Sequence, residues 1–410
     1  MFRLSYCVIR VLLFPCRLMT AGGIRRCGNV LGSLVYRCVP SYRKRTLSNL
    51  ALATDLALSE EEIRKTAEQS LQSMAITFLE YERFARIRHI DDSVSIRNRE
   101  PTFKLFEAGQ GIILLCGHQA NWEAAFLEVS DKIPVTAINR PIKNPFLHNY
   151  LVRIRTRFGG KLITPKETIS RGTAILRQGG ALAIVCDQGM PESKYVFPFF
   201  GRRARTSVAP ALLSYRTGAP IIFATIRRKG GRYEVHYSDP VWPNRKETLK
   251  EEIRRLTCAW LAILEKSVID AKEQWLWLHN RWKQQVPTLR KRRYRAESIL
   301  IILPKESVRH RASLHALRTV YPRAFITILT PLPLSLPDAE VLLYRSEKEL
   351  FLRDYRFKLV FDFSRVPGIK KHFLRLSAFR VIDEKTLYKE AGRSVEPRDD
   401  LSRVIEKALI

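Results

Sequence analysis

Residues 112–129, IILLCGHQANWEAAFLEV, contain the pattern that decides the fold. The first five residues are apolar or Cys, which is typical of a strand that is buried on both faces. Residues 121–129 have the composition of a helix, and the short stretch GHQA joins it to the strand. A strand that leads through a turn into a helix is the repeating unit of a layered α/β protein.

The same alternation continues along the chain. Further strands are predicted at Pro134–Ile138, Ala181–Cys186, Ile221–Ile226 and Tyr233–Tyr237. Helices are predicted at residues 59–88, Pro145–Phe158, Thr168–Gln178, Val208–Tyr215 and Thr248–Val268. Strands separated by helices predict an α/β layered domain with a partly parallel sheet.

A second alternation begins after a dense basic segment at residues 289–295. It predicts strands at Ile299–Leu303, Ala324–Leu329, Val341–Tyr344 and Lys358–Phe361, and a helix at Arg309–Thr319. The turn at residues 304–307, PKES, has no glycine-rich phosphate cradle, so a docking or scaffold role is expected. We therefore predict four regions, namely a membrane-associating segment at 1–45, the main domain at 46–288, a basic linker at 289–295 and a small Rossmann-like α/β domain at 296–410.

The chain is strongly basic, with 71 Lys and Arg against 40 Asp and Glu and a net charge of +31. Such a charge attracts polyanions, which include anionic lipids, phosphorylated glycolipids, acidic carrier proteins and nucleic acids. The sequence has no zinc-finger spacing, RNP-like stretch or helix-turn-helix signature, which disfavours a nucleic-acid-binding protein. The seven cysteines include no C-x-x-C pair, so no metal site is expected.

The N-terminal segment predicts contact with a membrane. Residues 4–20 are mostly apolar, but Arg10, Pro15 and Arg17 interrupt them too often for a spanning helix. Arg3, Arg10 and Arg17 are seven residues apart and therefore share one stripe of a helix. We expect this helix to lie in the membrane interface with its arginines at lipid phosphates. The alternative is a buried helix with surface arginines.

A candidate reaction centre follows the first strand. His118 lies just beyond it, and Glu123 lies near the first turn of the next helix, which Asn121 is positioned to cap. A histidine at the carboxyl edge of a sheet can act as a general base, and a nearby carboxylate can hold its ring in one tautomer. By spacing alone the pair is a weak signal, since a single His near a carboxylate is more often structural.

The surrounding residues make the signal specific. GHQANWE at 117–123 resembles the Gly-His-x-x-Asn-Trp-Glu form of the His-x4-Asp/Glu motif in the bacterial lipid A secondary acyltransferases. Further family blocks follow in order at 139–141 (NRP), 186–188 (CDQ), 196–201 (VFPFFG) with Ala204 and Thr206, 217–221 (TGAPI) and 273–283 (EQWLWLHNRWK). The resemblance extends from the N-terminal basic helix to about residue 285.

This resemblance implies a glycerolipid-acyltransferase-like α/β fold in the main domain. It implies transfer of a fatty acyl chain from an acyl thioester, typically on acyl carrier protein, to a hydroxyl of a lipid A precursor. The reaction is then expected on the cytoplasmic side of the bacterial inner membrane. Expected partners are acyl carrier protein, the glycolipid precursor and inner-membrane lipids, but not nucleic acid, and no cofactor is expected.

The resemblance also implies roles for individual residues. His118 is expected to be the general base, and Glu123 is expected to orient it. The residues expected to bind substrate are Asn121, Arg140, Asp187, Gln188 and Thr206. The block at 273–283 (EQWLWLHNRWK) is called the closing block. Its tryptophans are expected to pack in the core or at the membrane interface, and His279 among them is expected to be structural.

Two alternatives stay open at this stage. The first is a related O-acyltransferase that uses acyl-CoA and acts on a lysophospholipid or another glycolipid. The second is a basic nucleic-acid-binding protein, which the missing signatures disfavour.

Overall fold

A computed structural model describes residues 1–284, 289, 291–306, 310–392 and 400–410. These form two compact units. The first comprises Met1–Cys38, Lys65–Gln188 and Thr206–His279, and the second comprises Val39–Arg64, Gly189–Arg205 and Asn280–Ile410. The predicted domain boundaries stay predictions. Residues 288 and 290, at the predicted linker, and Ser307 and Arg309, in the predicted turn and helix of the small domain, lie outside the described residues.

Helices make up much of the described chain. In chain order they are α1 (Phe2–Leu13), α2 (Ala21–Cys38), α3 (Pro40–Leu52), α4 (Glu60–Phe84), α5 (Glu100–Glu107), α6 (Trp122–Lys132), α7 (Pro145–Arg155), α8 (Thr168–Arg177), α9 (Ala209–Thr217), α10 (Leu249–Asp270), α11 (Arg311–Val320), α12 (Ile369–Arg375), α13 (Glu384–Ala391) and α14 (Leu401–Leu409). The helices predicted in the main domain are confirmed, with ends that differ by a few residues.

The strands alternate with these helices. They are β1 (Val94–Arg97), β2 (Ile112–Cys116), β3 (Val135–Ile138), β4 (Lys161–Ile163), β5 (Ala181–Val185), β6 (Val196–Phe199), β7 (Arg202–Arg205), β8 (Ile221–Lys229), β9 (Arg232–Tyr237), β10 (Ser298–Ile302), β11 (Phe325–Thr330), β12 (Ala339–Leu343), β13 (Leu359–Asp362) and β14 (Arg380–Asp383). Together with the helices they confirm the α/β class.

The first unit contains a seven-stranded sheet in the order β1-β9-β8-β2-β5-β3-β4. All neighbouring strands are parallel except β8 and β9, which confirms the predicted partly parallel sheet. β2 is central, and Ile112, Ile113 and Leu115 in it are at most 1% exposed. Such burial on both faces explains why this strand is a continuous apolar run. Parallel pairing also brings the carboxyl ends of β2, β5 and β3 to one edge.

The second unit contains a five-stranded, fully parallel sheet in the order β12-β11-β10-β13-β14. This is the strand order of a doubly wound sheet, which is the topology of Rossmann-like domains. The hairpin of β6 and β7, formed by the VFPFFG block, also belongs to this unit. Buried Lys358 donates to Glu297 and to the side-chain oxygens of Asn49 and Asn280, at 2.8 and 3.1 Å. Buried polar contacts therefore connect distant parts of the chain within this unit.

The N-terminal helix departs from its predicted orientation. The side chains of Arg10 and Arg17 both bind the buried carboxylate of Glu82 on α4, and Arg10 also stacks 3.9 Å from the ring centre of Tyr150. The expectation that these two arginines reach lipid phosphates is therefore wrong, because a buried carboxylate offers a less solvated partner. In the part of the chain that the structure describes, no helix is both long enough and apolar enough to cross a membrane.

Candidate active site

His118 lies at the carboxyl end of β2, in a loop that ends where α6 begins at Trp122. The loop contains Ala120 with a left-handed φ of 47°, an uncommon conformation for a residue with a side chain. Two hydrogen bonds connect it to the closing block, from Ala120 N–H to Gln274 O at 2.7 Å and from Leu276 N–H to His118 O at 2.9 Å. The EQWLWLHNRWK block is therefore part of the frame that holds His118 in place.

The partner of the His118 ring is Asp187. Asp187 lies two residues beyond the end of β5, the strand beside β2, and is 2% exposed. Its Oδ1 lies 2.6 Å from Nδ1 of His118, and its Oδ2 accepts from the His118 backbone N–H and from Trp275 Nε1, both at 2.7 Å. Both oxygens are therefore occupied, and the ring is held with Nδ1 inward and Nε2 outward.

The ionised carboxylate fits this arrangement. Burial raises the pKa of Asp187, but the charge and hydrogen bonds of His118 and the charge of His279 lower it more, to well below its usual range. An ionised Asp187 accepts a proton-bearing Nδ1, which leaves a lone pair on Nε2 of His118. The pair therefore has the geometry of a general base with its orienting carboxylate.

Glu123 does not fill the role that the sequence predicts for it. Its carboxylate is 3% exposed and accepts from Tyr81 Oη at 2.7 Å and from Arg155, whose Nε lies 2.8 Å away and whose second nitrogen also binds. Its first-turn position on α6 directs it towards α4 and α7, which carry these partners. The carboxylate that orients His118 is Asp187 instead, and a catalytic role for His118 or Glu123 stays a prediction.

The environment of Glu123 keeps it charged. Burial raises the pKa of its carboxyl, but the charge and hydrogen bonds of Arg155 and the hydrogen bond of Tyr81 outweigh this effect, so that the pKa is lowered. Burial lowers the pKa of Arg155, and Glu123 and Tyr81 reverse this and raise it. The two groups form an ion pair, with Glu123 buried and Arg155 partly buried, that joins α6 to α7.

The residues predicted to bind substrate divide into buried and exposed ones. Asn121 and Thr206 are 0% exposed, and Asn121 donates to Glu80 at 3.0 Å instead of capping α6. Asp187 uses its oxygens within the protein. Binding roles for these three residues stay predictions. Arg140 and Gln188 are exposed and so accessible, although Arg140 has no described contact with His118.

One residue near His118 is missing from the sequence-based set. The ring of His279 lies 4.4 Å from that of His118, and Nε2 of Gln188 lies 3.4 Å from Nε2 of His118 and 3.5 Å from Nε2 of His279. Burial and the charge of His118 lower the pKa of His279 to about 4, although Asp187 acts in the opposite sense. Membership of the closing block was the only sequence signal for His279.

A small cleft opens beside His118 within the first unit. Apolar, aromatic and hydroxyl side chains line it, from α4, from residues 118–122 and from residues 274–276 of the closing block. They include Ser73, Met74, Thr77, Phe78, Trp122 and Leu276. An outside molecule with an apolar part can therefore approach His118. Among the described residues, no group of three His, Cys, Asp or Glu side chains is placed to hold a metal ion.

Comparison with known proteins gives two matches. The family model for bacterial lipid A biosynthesis acyltransferases matches residues 4–284 of this chain. The chain is also 25% identical over 267 residues to the lipid A biosynthesis lauroyltransferase of Escherichia coli strain K12. This matched segment covers 63% of this chain and 85% of that protein. The family match contains His118, Glu123, Asp187 and His279.

Proposed function

Because the chain belongs to the bacterial lipid A biosynthesis acyltransferase family, it is an acyltransferase, and we propose that His118 is the general base of its reaction. We propose further that it transfers a fatty acyl chain from acyl carrier protein to a hydroxyl of a lipid A precursor. The observation that carries the role of His118 is the contact of Asp187 with Nδ1 of His118, which leaves the lone pair on Nε2 to accept a proton.

The proposed reaction is a direct transfer. The acceptor hydroxyl gives its proton to Nε2 of His118 as its oxygen forms a bond to the thioester carbonyl carbon. The C–S bond then breaks, the carbonyl re-forms, and the imidazolium returns the proton to the departing thiolate. The products are an ester and a free thiol, and the enzyme is unchanged. Asp187 stabilises the imidazolium and stays ionised throughout.

Other charged residues have supporting roles in this proposal. Arg140 follows β3 at the sheet edge that also carries His118, and its exposed guanidinium suits a phosphate or the developing oxyanion. Glu123 supports the site indirectly, because its ion pair with Arg155 fixes the start of α6. The net charge of +31 suits both an acidic carrier protein and a phosphorylated acceptor.

The proposed location is the cytoplasmic face of the inner membrane. With Arg10 and Arg17 directed inward, α1 presents apolar side chains to solvent, among them Leu4, Val11 and Leu12, each at least 70% exposed. Phe146 at the start of α7 is 42% exposed and packs near Tyr6 of α1. A contiguous exposed apolar surface on a basic protein is typical of a helix that lies on a bilayer.

The test is a transfer assay with the purified full-length chain. A lipid A precursor and a lysophospholipid are each offered an acyl group from acyl carrier protein and from CoA, and products are identified by mass spectrometry. We expect the lipid A precursor with the carrier-bound donor to give the highest kcat/KM. A preference for lysophospholipid and acyl-CoA would favour the alternative O-acyltransferase.

Two variants accompany this assay. His118→Ala removes the base, and a loss in kcat on the order of 10²–10⁴-fold is expected. His89→Ala changes an exposed histidine outside the site and is expected to keep full activity. Full activity of the His118 variant would contradict the proposal. In cells, mass spectrometry of lipid A with and without the protein shows which acyl chain is added.

A further inference from the structure

The outward side of the His118 ring faces a polar group that the mechanism above does not use. Nε2 of His118 and Nε2 of His279 lie 3.4 and 3.5 Å from the same atom, the amide nitrogen of Gln188. Gln188 is exposed, so this amide is accessible from solvent. The two imidazole rings are 4.4 Å apart at an angle of 67°, in an edge-to-face arrangement.

The protons of this cluster follow from Asp187. Because Nδ1–H of His118 donates a hydrogen bond to the ionised Asp187, Nε2 of His118 has only a lone pair, and the group that faces it must donate. The amide of Gln188 therefore turns its NH₂ group, not its oxygen, towards His118. Its second N–H is directed to Nε2 of His279, which must then also accept and carry its proton on Nδ1. A neutral His279 satisfies this condition, and the low pKa of its ring favours that state.

We propose, on the basis of the function proposed above, that Gln188 holds the acceptor hydroxyl on His118 and that His279 is a positioning residue that fixes the Gln188 amide. A hydroxyl oxygen between the two side chains accepts an N–H of Gln188 while it donates its own proton to Nε2 of His118. Its remaining lone pair is then directed away from both and towards the thioester carbon. Orientation of this kind lowers the barrier because the attack geometry is formed before the bond.

His279 serves this role only while it is neutral. When His118 takes the hydroxyl proton it becomes a cation, and a second cation 4.4 Å away would oppose that step. A protonated His279 would also direct an N–H at the NH₂ of Gln188 and turn the amide away. The neutral His279 ring therefore keeps the NH₂ group of Gln188 directed at the acceptor hydroxyl, and the transferred proton stays on His118.

Three variants of the full-length protein test the proposal in the transfer assay. Gln188→Leu removes the donor at an exposed position, where the fold tolerates the change. His279→Phe keeps a ring against His118 but removes the acceptor nitrogen. His279→Gln offers a carbonyl oxygen that can accept from Gln188 in its place. The kinetic constants are measured separately for the lipid A precursor and for the acyl thioester.

We expect Gln188→Leu and His279→Phe each to lower kcat/KM for the acceptor about tenfold, which corresponds to one lost hydrogen bond. The KM for the thioester should stay unchanged, and His279→Gln should recover most of the acceptor kcat/KM. Because His279 acts through Gln188, the double variant should be no slower than Gln188→Leu alone. Losses that add in the double variant would overturn the positioning role of His279.

The outcome is separable from that of the proposed function. An inactive His118→Ala variant together with a fully active Gln188→Leu variant would leave the function intact and overturn this inference. An active His118→Ala variant would instead overturn the function itself. If His279→Phe fails to fold, as shown by its thermal unfolding, then Gln188→Leu and His279→Gln decide the question without it.

Discussion

The proposed reaction centre depends on the contact between His118 and Asp187, two residues 69 positions apart in sequence. The same carboxylate also binds the His118 backbone and Trp275, so it fixes the loop, the ring and the closing block together. The substitution that isolates its electronic role is one that keeps its shape.

We predict that Asp187→Asn lowers kcat by on the order of 10²–10⁴-fold with little change in KM for either substrate. The amide can present an N–H to Nδ1 of His118, which moves the ring proton to Nε2 and removes the lone pair that accepts the hydroxyl proton. Steady-state kinetics measure the effect, with thermal unfolding as a control for folding. A variant that keeps the wild-type kcat would contradict the role of Asp187.

The ion pair of Glu123 and Arg155 predicts an effect on stability. Glu123→Gln leaves the part-buried Arg155 without its counter-charge and should reduce the free energy of unfolding by about 3 kcal/mol, at the lower end for a buried pair. Because the folded-state pKa of Glu123 is lowered, its contribution is fully present above the unfolded-state pKa and is lost as pH falls through the folded-state pKa.

Urea unfolding at a series of pH values measures this difference. The gap between wild type and Glu123→Gln should be full at pH 7 and shrink below about pH 4, near the ordinary pKa of a glutamate. Arg171, which forms an exposed ion pair with Glu167, offers the matched control, since Arg171→Gln should cost less than about 1 kcal/mol. A gap that grows in acid would contradict the assigned pKa direction.

At the scale of elements, α1 inverts the usual arrangement of an amphipathic helix at a membrane. Arg10 in α1 and Arg17 just after it bind the buried Glu82, and apolar side chains of α1 face outward. Leu12→Asp, at a residue 70% exposed, should therefore weaken binding to vesicles that contain anionic lipid by about tenfold, since a charge in the bilayer interface replaces an apolar group.

Vesicle flotation measures this binding. Trp242, which lies between β9 and α10 and is 45% exposed, provides the control, because Trp242→Asp changes an exposed apolar residue outside α1. Equal losses in both variants would show that general hydrophobicity, and not the α1 surface, determines binding. Unchanged binding of the Leu12 variant would contradict the proposed membrane contact of α1.

The packing of α2 against α4 depends on close backbone approach. A Cβ atom at Gly32 would lie 2.3 Å from the Cα of Gln72, and one at Gly28 would lie 2.4 Å from a side-chain carbon of Ile76. Gly32→Ala should therefore reduce the free energy of unfolding by about 1–3 kcal/mol. Gly22→Ala in the same helix meets only Thr20 at 3.9 Å and should be neutral or slightly stabilising. Denaturant unfolding distinguishes the two, and equal stability would contradict the tight contact.

At the scale of the whole molecule, the net charge of +31 should act on association more than on chemistry. An increase in salt from about 0.05 M to 0.5 M should lower kcat/KM for the carrier-bound thioester by about tenfold or more, because the attraction of an acidic carrier is screened. A small uncharged thioester offers the control, since its kcat should stay constant. Equal salt dependence for both donors would contradict an electrostatic role for the protein surface.

The sequence by itself determined the α/β class, the central strands of both sheets to within a few residues, the family and the position of His118. Apolar runs and glycine or proline signals are local, so they identify a strand, a turn or a helix without knowledge of its neighbours. β1, β4 and β14 were missed because short edge strands carry few apolar residues.

Only the tertiary structure decided which side chains meet. The order β2-β5 brings Asp187 to His118, and the direction of the first turn of α6 turns Glu123 to Arg155. Packing of the closing block places His279 beside His118, and a buried carboxylate turns Arg10 and Arg17 inward. The physical reason is common to all four: a side-chain contact depends on sheet order and on packing between distant segments, and neither is recorded in the local pattern of residues.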